Sequence, residues 1–178
     1  MGGRRILDRV ADALALATGS PPILIANAAD AKGWLPGVAA YADAVPGAGS
    51  IGGILTAVER AAPVLCVAWD MPFVPAPLLR ALGAGLDRAD VVVPESDGRR
   101  GLEPLCAAYG PAAGPAIRAA LGRGDRRAIG FYADVRVARL PLNDVLQYGD
   151  PGVLFFNVNS PDDLLRAEST WRARDSSL

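Results

Sequence analysis

Three short apolar stretches, residues 22–26, 38–42 and 64–69, each break off at a polar side chain: Asn27, Asp43 and Asp70. They run apolar without strict alternation, as strands covered on both faces of a parallel sheet do. Parallel strands cannot be joined by tight hairpins and need crossover segments, usually helices. Helical periodicity is present: Ile6, Leu7, Val10, Ala11, Leu14 and Ala17 recur at three and four until Gly19 stops the run. The chain is thereby confined to the α/β class. In open sheets of that class ligands bind at the carboxyl ends of strands, where the three polar residues stand.

The alternation continues to the end of the chain. Helices are expected over 51–62, 77–86, 112–121, 126–132 and 161–171. Strands are expected over 90–93, 104–109 and 135–140, with a last short one over 154–156. No internal repeat or composition break divides the chain, so one domain over 1–171 with a tail over 172–178 is expected.

Composition removes several chemistries. There is no histidine, which excludes Ser-His-Asp and Cys-His constellations and histidine-ligated zinc. The only cysteines, Cys66 and Cys106, lie far apart among apolar neighbours and read as small buried hydrophobes in a reducing cytoplasm. Eighteen basic against nineteen acidic residues give a net charge of -1, too little positive charge for a nucleic-acid partner. No signal peptide or apolar run of about 18 residues marks a membrane segment.

Asp70 is the sharpest candidate, because a strand-end carboxylate can hold Mg²⁺ together with substrate phosphates. Its competing role is to cap a helix starting near Pro72. Asp43 would reach the same sheet edge, or simply open the turn that runs into Pro46-Gly47. Gly47, Gly49 and Gly52 spell a literal G-x-G-x-x-G before a helix, whose N–H groups favour anions. With Ala44-Val45-Pro46 intervening after the strand, they are weak evidence for NAD, and a plain turn competes. Asn157 and Asn159 would point to one face of a strand end, or belong to a helix start at Ser160-Pro161. Arg99, Arg100 and Glu103 could meet an anionic substrate or form an exposed charged turn, and Lys32, the one lysine, sits in a short loop.

In order, these pieces resemble the molybdenum cofactor guanylyltransferases. The matching segments are Gly3-Arg4-Arg5-Ile6-Leu7-Asp8-Arg9-Val10, Asn27, Asp43 with Pro46-Gly47-Ala48-Gly49-Ser50-Ile51-Gly52-Gly53-Ile54, Trp69-Asp70-Met71-Pro72-Phe73, Glu103-Pro104-Leu105 and Phe156-Asn157-Val158-Asn159-Ser160-Pro161-Asp162-Asp163-Leu164. The resemblance implies a three-layer, Rossmann-like nucleotidyltransferase fold with a mostly parallel mixed sheet. It implies transfer of GMP from GTP to molybdopterin, with loss of pyrophosphate, in a cytoplasmic enzyme. On that reading Asp70 is catalytic and holds Mg²⁺, Asn27, Asp43, Gly47 and Gly49 bind the nucleotide, and Asn157 and Asn159 lie near the pterin. Met71-Pro72-Phe73 and the asparagine pair lean toward GTP rather than CTP.

One part of the family pattern is not in this sequence: the opening strand and glycine-rich loop, approximately L-A-G-G-x-S-x-R-M-G-x-D-K. Lys32 cannot stand in for its lysine, because it follows Asn27. A late start, a trimmed chain or a degenerate relative would each account for this. That strand should be central, so its neighbours are expected to keep unpaired backbone groups and exposed apolar surface. The alternatives carried forward are a non-catalytic nucleotide- or pterin-binding accessory protein and a cytidylyl- or other nucleotidyltransferase.

Overall fold

A computed structural model describes residues 1–98 and 101–175, so Arg99 and Arg100 lie outside the described residues. The first helix, α1 (Ile6–Thr18), has the expected bounds and ends at Gly19, whose φ of 72° lets its N–H return to the Ala15 carbonyl at 2.8 Å. There follow β1 (Leu24–Ile25), β2 (Ala40–Tyr41), α2 (Ser50–Ala61), β3 (Val64–Val67), α3 (Ala76–Ala84), β4 (Val91–Pro94) and β5 (Cys106–Tyr109). The remainder comprises α4 (Ala113–Gly122), β6 (Val137–Leu140), the short α5 (Leu142–Val145) and α6 (Pro151–Leu154), and α7 (Pro161–Asp175).

Four strands form one sheet in the order β3-β5-β4-β6, in which β5 runs against both neighbours and β4 pairs in parallel with β6. The period of two divides its side chains between two cores. Val91, Val93, Ala107 and Tyr109 pack with Ile51, Leu55 and Ile117 of α2 and α4. Val92, Cys106 and Ala108 pack on the other side with Leu78, Leu79 and Leu82 of α3. That is the expected three-layer, mixed-sheet arrangement. β1 and β2 pair in parallel as a separate two-stranded sheet.

Three local expectations are corrected. Residues 126–132 are not an α-helix; after α4 the chain turns, and only a 3₁₀ turn at Tyr132–Asp134 is helical. The Asp125 carboxylate draws this loop together, accepting the Arg127 N–H at 3.0 Å, and a Cβ on Gly130 would fall 2.5 Å from it. Residues 154–156 are not a strand, because Asp150 caps the turn of α6 by accepting the Gly152 N–H at 2.9 Å and Pro151 opens it. The closing helix continues past Trp171 to Asp175. Among the described residues no helix is long and apolar enough to cross a membrane.

The edge between β4 and β6 carries a pH dependence. Asp90 accepts the Arg136 backbone N–H at 2.9 Å and its guanidinium at 2.9 and 3.1 Å, which holds the carboxyl down at about 2. A folded pKa below the ordinary value of 3.8 stabilises the fold above that value and ceases to as pH falls toward about 2. Asp90→Asn is therefore expected to lower the urea midpoint at pH 6 and to leave it nearly unchanged near pH 2. An equal loss at both pH values would show that packing, not charge, is responsible.

Candidate functional site

No β-ladder joins β1 to β3 among the described residues. Between them runs a groove of about 630 Å³, with Val10 and Leu14 of α1 and Ile54 and Ala57 of α2 among the side chains that line it. Asn27, Asp43, Gly49 and Asp70 also line it, so three of the strand-end residues and one loop glycine converge as the topology predicted.

Asn27 and Asp43 form a reciprocal pair. The Asn27 side-chain amide donates to Asp43 Oδ2 at 2.9 Å, and the Asp43 backbone N–H donates to Asn27 Oδ1 at 2.9 Å. The next residue is fixed from below: Thr56, buried on the inner face of α2, accepts the Ala44 N–H at 2.8 Å and donates to the Gly52 carbonyl at 2.8 Å. Asp43 thus hangs over the first turn of α2, with its oxygens 3.5 to 3.7 Å from where a Cβ on Gly52 or Gly53 would sit. Sequence reasoning missed Thr56; the signal was a hydroxyl on an otherwise apolar helix face.

Asp70 follows β3 in a turn closed by Met71 N–H to the Ala68 carbonyl at 3.2 Å. Met71 and Phe73 are buried in two different apolar clusters, so the turn is held by both of its flanking side chains. The capping role is not realised: α3 starts later, with Pro75 at its cap position and no side-chain cap bond. Asp70 Oδ1 is buried without a hydrogen-bond partner among the described residues, and burial pushes the carboxyl's pKa up. A buried carboxylate oxygen without a protein partner has its lone pairs available to a cation or a water. The described residues contain no group of three or more acidic, cysteine or histidine side chains able to cage a metal. A single strand-end carboxylate is compatible with a hard divalent ion, which uses one or two carboxylates and takes its other ligands from water and phosphate.

The remaining candidates divide. Gly47 and Gly49 both adopt φ 72°, but Gly49 caps α2 and lines the groove, whereas the Gly47 carbonyl accepts Arg126 Nη1 at 3.0 Å and is not part of the lining. Asn157 and Asn159 lie in an irregular segment rather than a strand. Asn157 donates to the Phe155 carbonyl at 3.1 Å, and Asn159 uses its backbone N–H to reach Asp163 Oδ2 at 3.2 Å, as part of the Ser160–Asp163 cap of α7. Val158, between them, donates its N–H to the Asp70 carbonyl at 3.0 Å, tying this segment to the Asp70 turn. Lys32 is exposed in the 3₁₀ turn Ala31–Gly33 and is not part of the lining. Trp69, quoted above in the matching segment but not as a candidate site residue, is 57% exposed and lines the groove beside Asp70.

Comparison with known proteins gives one answer. Residues 1–137 match the MobA-like NTP transferase domain. A probable molybdenum cofactor guanylyltransferase of Pelotomaculum thermopropionicum is 33% identical over 147 residues, 82% of this chain and 71% of that protein. Another from Deinococcus radiodurans is 33% identical over 180 residues, 98% of this chain and 84% of that protein. The crystal structure of molybdopterin-guanine dinucleotide biosynthesis protein A from Archaeoglobus fulgidus aligns with a TM-score of 0.80 at 25% identity, covering 96% of this chain and 87% of that one. The α/β fold agrees with the structural match, and the chain belongs to the MobA-like NTP transferase domain family.

Proposed function

We propose that this chain transfers GMP from GTP to molybdopterin, releasing pyrophosphate, in molybdenum cofactor synthesis. The observation that carries this reading is the orphaned Asp70 oxygen at the groove, beside the Asn27–Asp43 pair. Asp70 would hold Mg²⁺, which when bound offsets the negative charge of the phosphates. Asp43, fixed by Asn27 and by the Thr56-anchored turn, offers acceptor oxygens to the N–H-rich edge of guanine. The start of α2 has no side-chain cap, and its N–H groups favour a phosphate. The Val158 contact supports the placing of Asn157 and Asn159 near the pterin.

In the transfer, an oxygen of the molybdopterin phosphate forms a bond to the α-phosphorus of GTP as the bond from that phosphorus to the pyrophosphate oxygen breaks. A phosphate monoester is already anionic near neutral pH, so no general base has to deprotonate it. A chain without histidine can therefore do this chemistry. A cytoplasmic setting fits the two free cysteines, of which Cys66 has its thiol pushed up to about 12 by burial.

Calorimetric titration of Mg²⁺-GTP into the protein, with CTP and metal-free GTP alongside, tests this. Saturable binding that needs the metal and prefers GTP is expected. Equal affinity for CTP would favour a cytidylyltransferase. Metal-dependent GTP binding without transfer to molybdopterin would favour the accessory-protein reading. Asn157→Ala is expected to weaken molybdopterin binding about tenfold, the loss of roughly one good hydrogen bond, while sparing GTP. Equal loss of both ligands would mark a folding defect instead.

A further inference from the structure

The loop that leads from Asp43 into α2 is tied down from two directions. On its inner side Thr56 accepts the Ala44 N–H, and Ala48 is buried in the same apolar core as Phe131. On its outer side Arg126 donates from Nη1 to the Gly47 carbonyl at 3.0 Å, a contact between residues 79 apart in the chain. Gly47 sits at φ 72°, a left-handed conformation that favours glycine, so the loop here is bent sharply and its carbonyl is offered outward to the arginine. Within the loop, Ala48 donates its N–H back to the Val45 carbonyl at 3.3 Å and Gly52 donates to the Gly49 carbonyl at 2.9 Å.

Arg126 stands in a braced segment. Arg127 meets Asp125 through two bonds at 2.6 and 3.0 Å, and Arg123 meets Asp134 at 2.6 Å. Phe131, fully buried, anchors the far end of the same segment. Two of its three arginines are thus engaged by carboxylates of their own segment, whereas Arg126 reaches across to a backbone carbonyl of another loop. A bond from a charged donor to a carbonyl is stronger than a neutral one. The groove lining separates contact from support: Asp43 and Gly49, the two ends of the loop, line the groove, but Gly47 and Arg126 do not. Arg126 can therefore influence a ligand of the groove only through the backbone it holds.

We infer that Arg126 is a positioning residue for the nucleotide: by holding the Gly47 carbonyl it keeps the loop between Asp43 and α2 in the shape in which Asp43 meets guanine. The inference rests on the proposed GTP site and adds to it a side chain from outside the groove. Thr56 fixes the start of the loop from within the core, and Arg126 fixes its middle from the surface. Because the action is on the loop that carries Asp43, it falls on the base and is independent of how many phosphates follow.

The test titrates Mg²⁺-GTP, Mg²⁺-CTP and guanosine, which has no phosphate, into the full chain and into its Arg126→Ala and Arg126→Lys variants. Arg126→Ala is expected to weaken GTP and guanosine by the same factor, about five- to tenfold, and to leave CTP within about twofold, so that the preference for guanine shrinks. Arg126→Lys keeps a charged donor for the carbonyl and should recover most of the loss. The melting temperature should move by less than about 2 °C, because the side chain is exposed. Without any ligand, the Ala48 and Gly52 amides should exchange about threefold faster or more in Arg126→Ala, since both are bonded to carbonyls of the loop. A loss confined to GTP, with guanosine unaffected, would show a direct phosphate contact and overturn the inference. Equal losses of GTP and CTP, unchanged GTP binding, or unchanged exchange at both amides would overturn it as well. Failure of the parent chain itself to bind GTP would overturn the proposed function and this inference with it, whereas normal binding by the parent with any of the preceding results overturns the inference alone.

Discussion

Asp70→Asn is expected to abolish metal-dependent GTP binding and to cut transfer about 10²–10³-fold, the scale of removing one group that offsets charge on the reacting phosphates. The same variant should melt higher than the parent in the absence of metal and nucleotide. Asp70 Oδ1 is buried and unpartnered, and burial disfavours the ionised carboxylate. A raised folded pKa means that stability is lost as pH rises through it, so the parent chain carries this cost at neutral pH and not in acid. The neutral amide avoids it, so a small rise in melting temperature is expected. Calorimetric scans with and without Mg²⁺-GTP check both halves. A variant that melts lower and still binds GTP in a metal-dependent way would remove Asp70 from the site.

Two adjacent glycines at the start of α2 should answer the same substitution with opposite signs. At Gly52 an added Cβ would meet Ala48 Cβ at 2.9 Å and the Val45 carbonyl at 3.2 Å, both parts of the loop that leads from Asp43 into the helix. Overpacking of this kind costs about 1–3 kcal/mol, and the helix propensity gained returns less than about 1 kcal/mol. Gly52→Ala is thus expected to lower the melting temperature by about 2–8 °C, at about 2–4 °C per kcal/mol for a chain of this size. Because the displaced loop carries Asp43, GTP affinity should fall about tenfold, a change worth about 1.4 kcal/mol. At Gly53 the added Cβ would meet only Asp43 Oδ1 at 3.7 Å and Ile25 Cγ2 at 4.0 Å, ordinary contacts. Gly53→Ala should therefore stabilise by about 0.5–1 kcal/mol through propensity alone. Unfolding both variants in urea decides the matter, and two equal responses would show that the Ala48–Val45 contact does not constrain the loop.

Periodicity and strand ends carried most of the architecture. The spacing over Ile6–Thr18 reproduced α1 to the residue, and the apolar runs before Asn27, Asp43 and Asp70 placed all three side chains on one groove. Elements decided by a single side-chain contact were not legible. The apolar residues near 154 and the helix-like composition of 126–132 gave way to the Asp150 cap and to the Asp125 carboxylate crowding Gly130. Asn157 and Asn159 could not be oriented by a strand period because no strand forms there. Thr56 was invisible for another reason: its partners, Ala44 and Gly52, are brought to it only when the loop folds back on α2.

The two-stranded sheet has a thermodynamic consequence of its own. Its ladder registers only Leu24 with Ala40 and Ile25 with Tyr41, and an isolated pair of strands is marginal in water. The Asn27–Asp43 clasp, which is exposed to solvent, adds its two hydrogen bonds at the end where β1 and β2 stop. This part of the fold therefore opens at a lower free energy than the four-stranded sheet. Whatever engages Asp43 must first hold that end closed. Part of its intrinsic affinity is spent on closure, and a ligand that binds only the closed form shifts the local equilibrium by mass action. Affinity at this site is then set partly by the ladder behind it, and substitutions at Ala40 or Tyr41, which do not line the groove, would tune it.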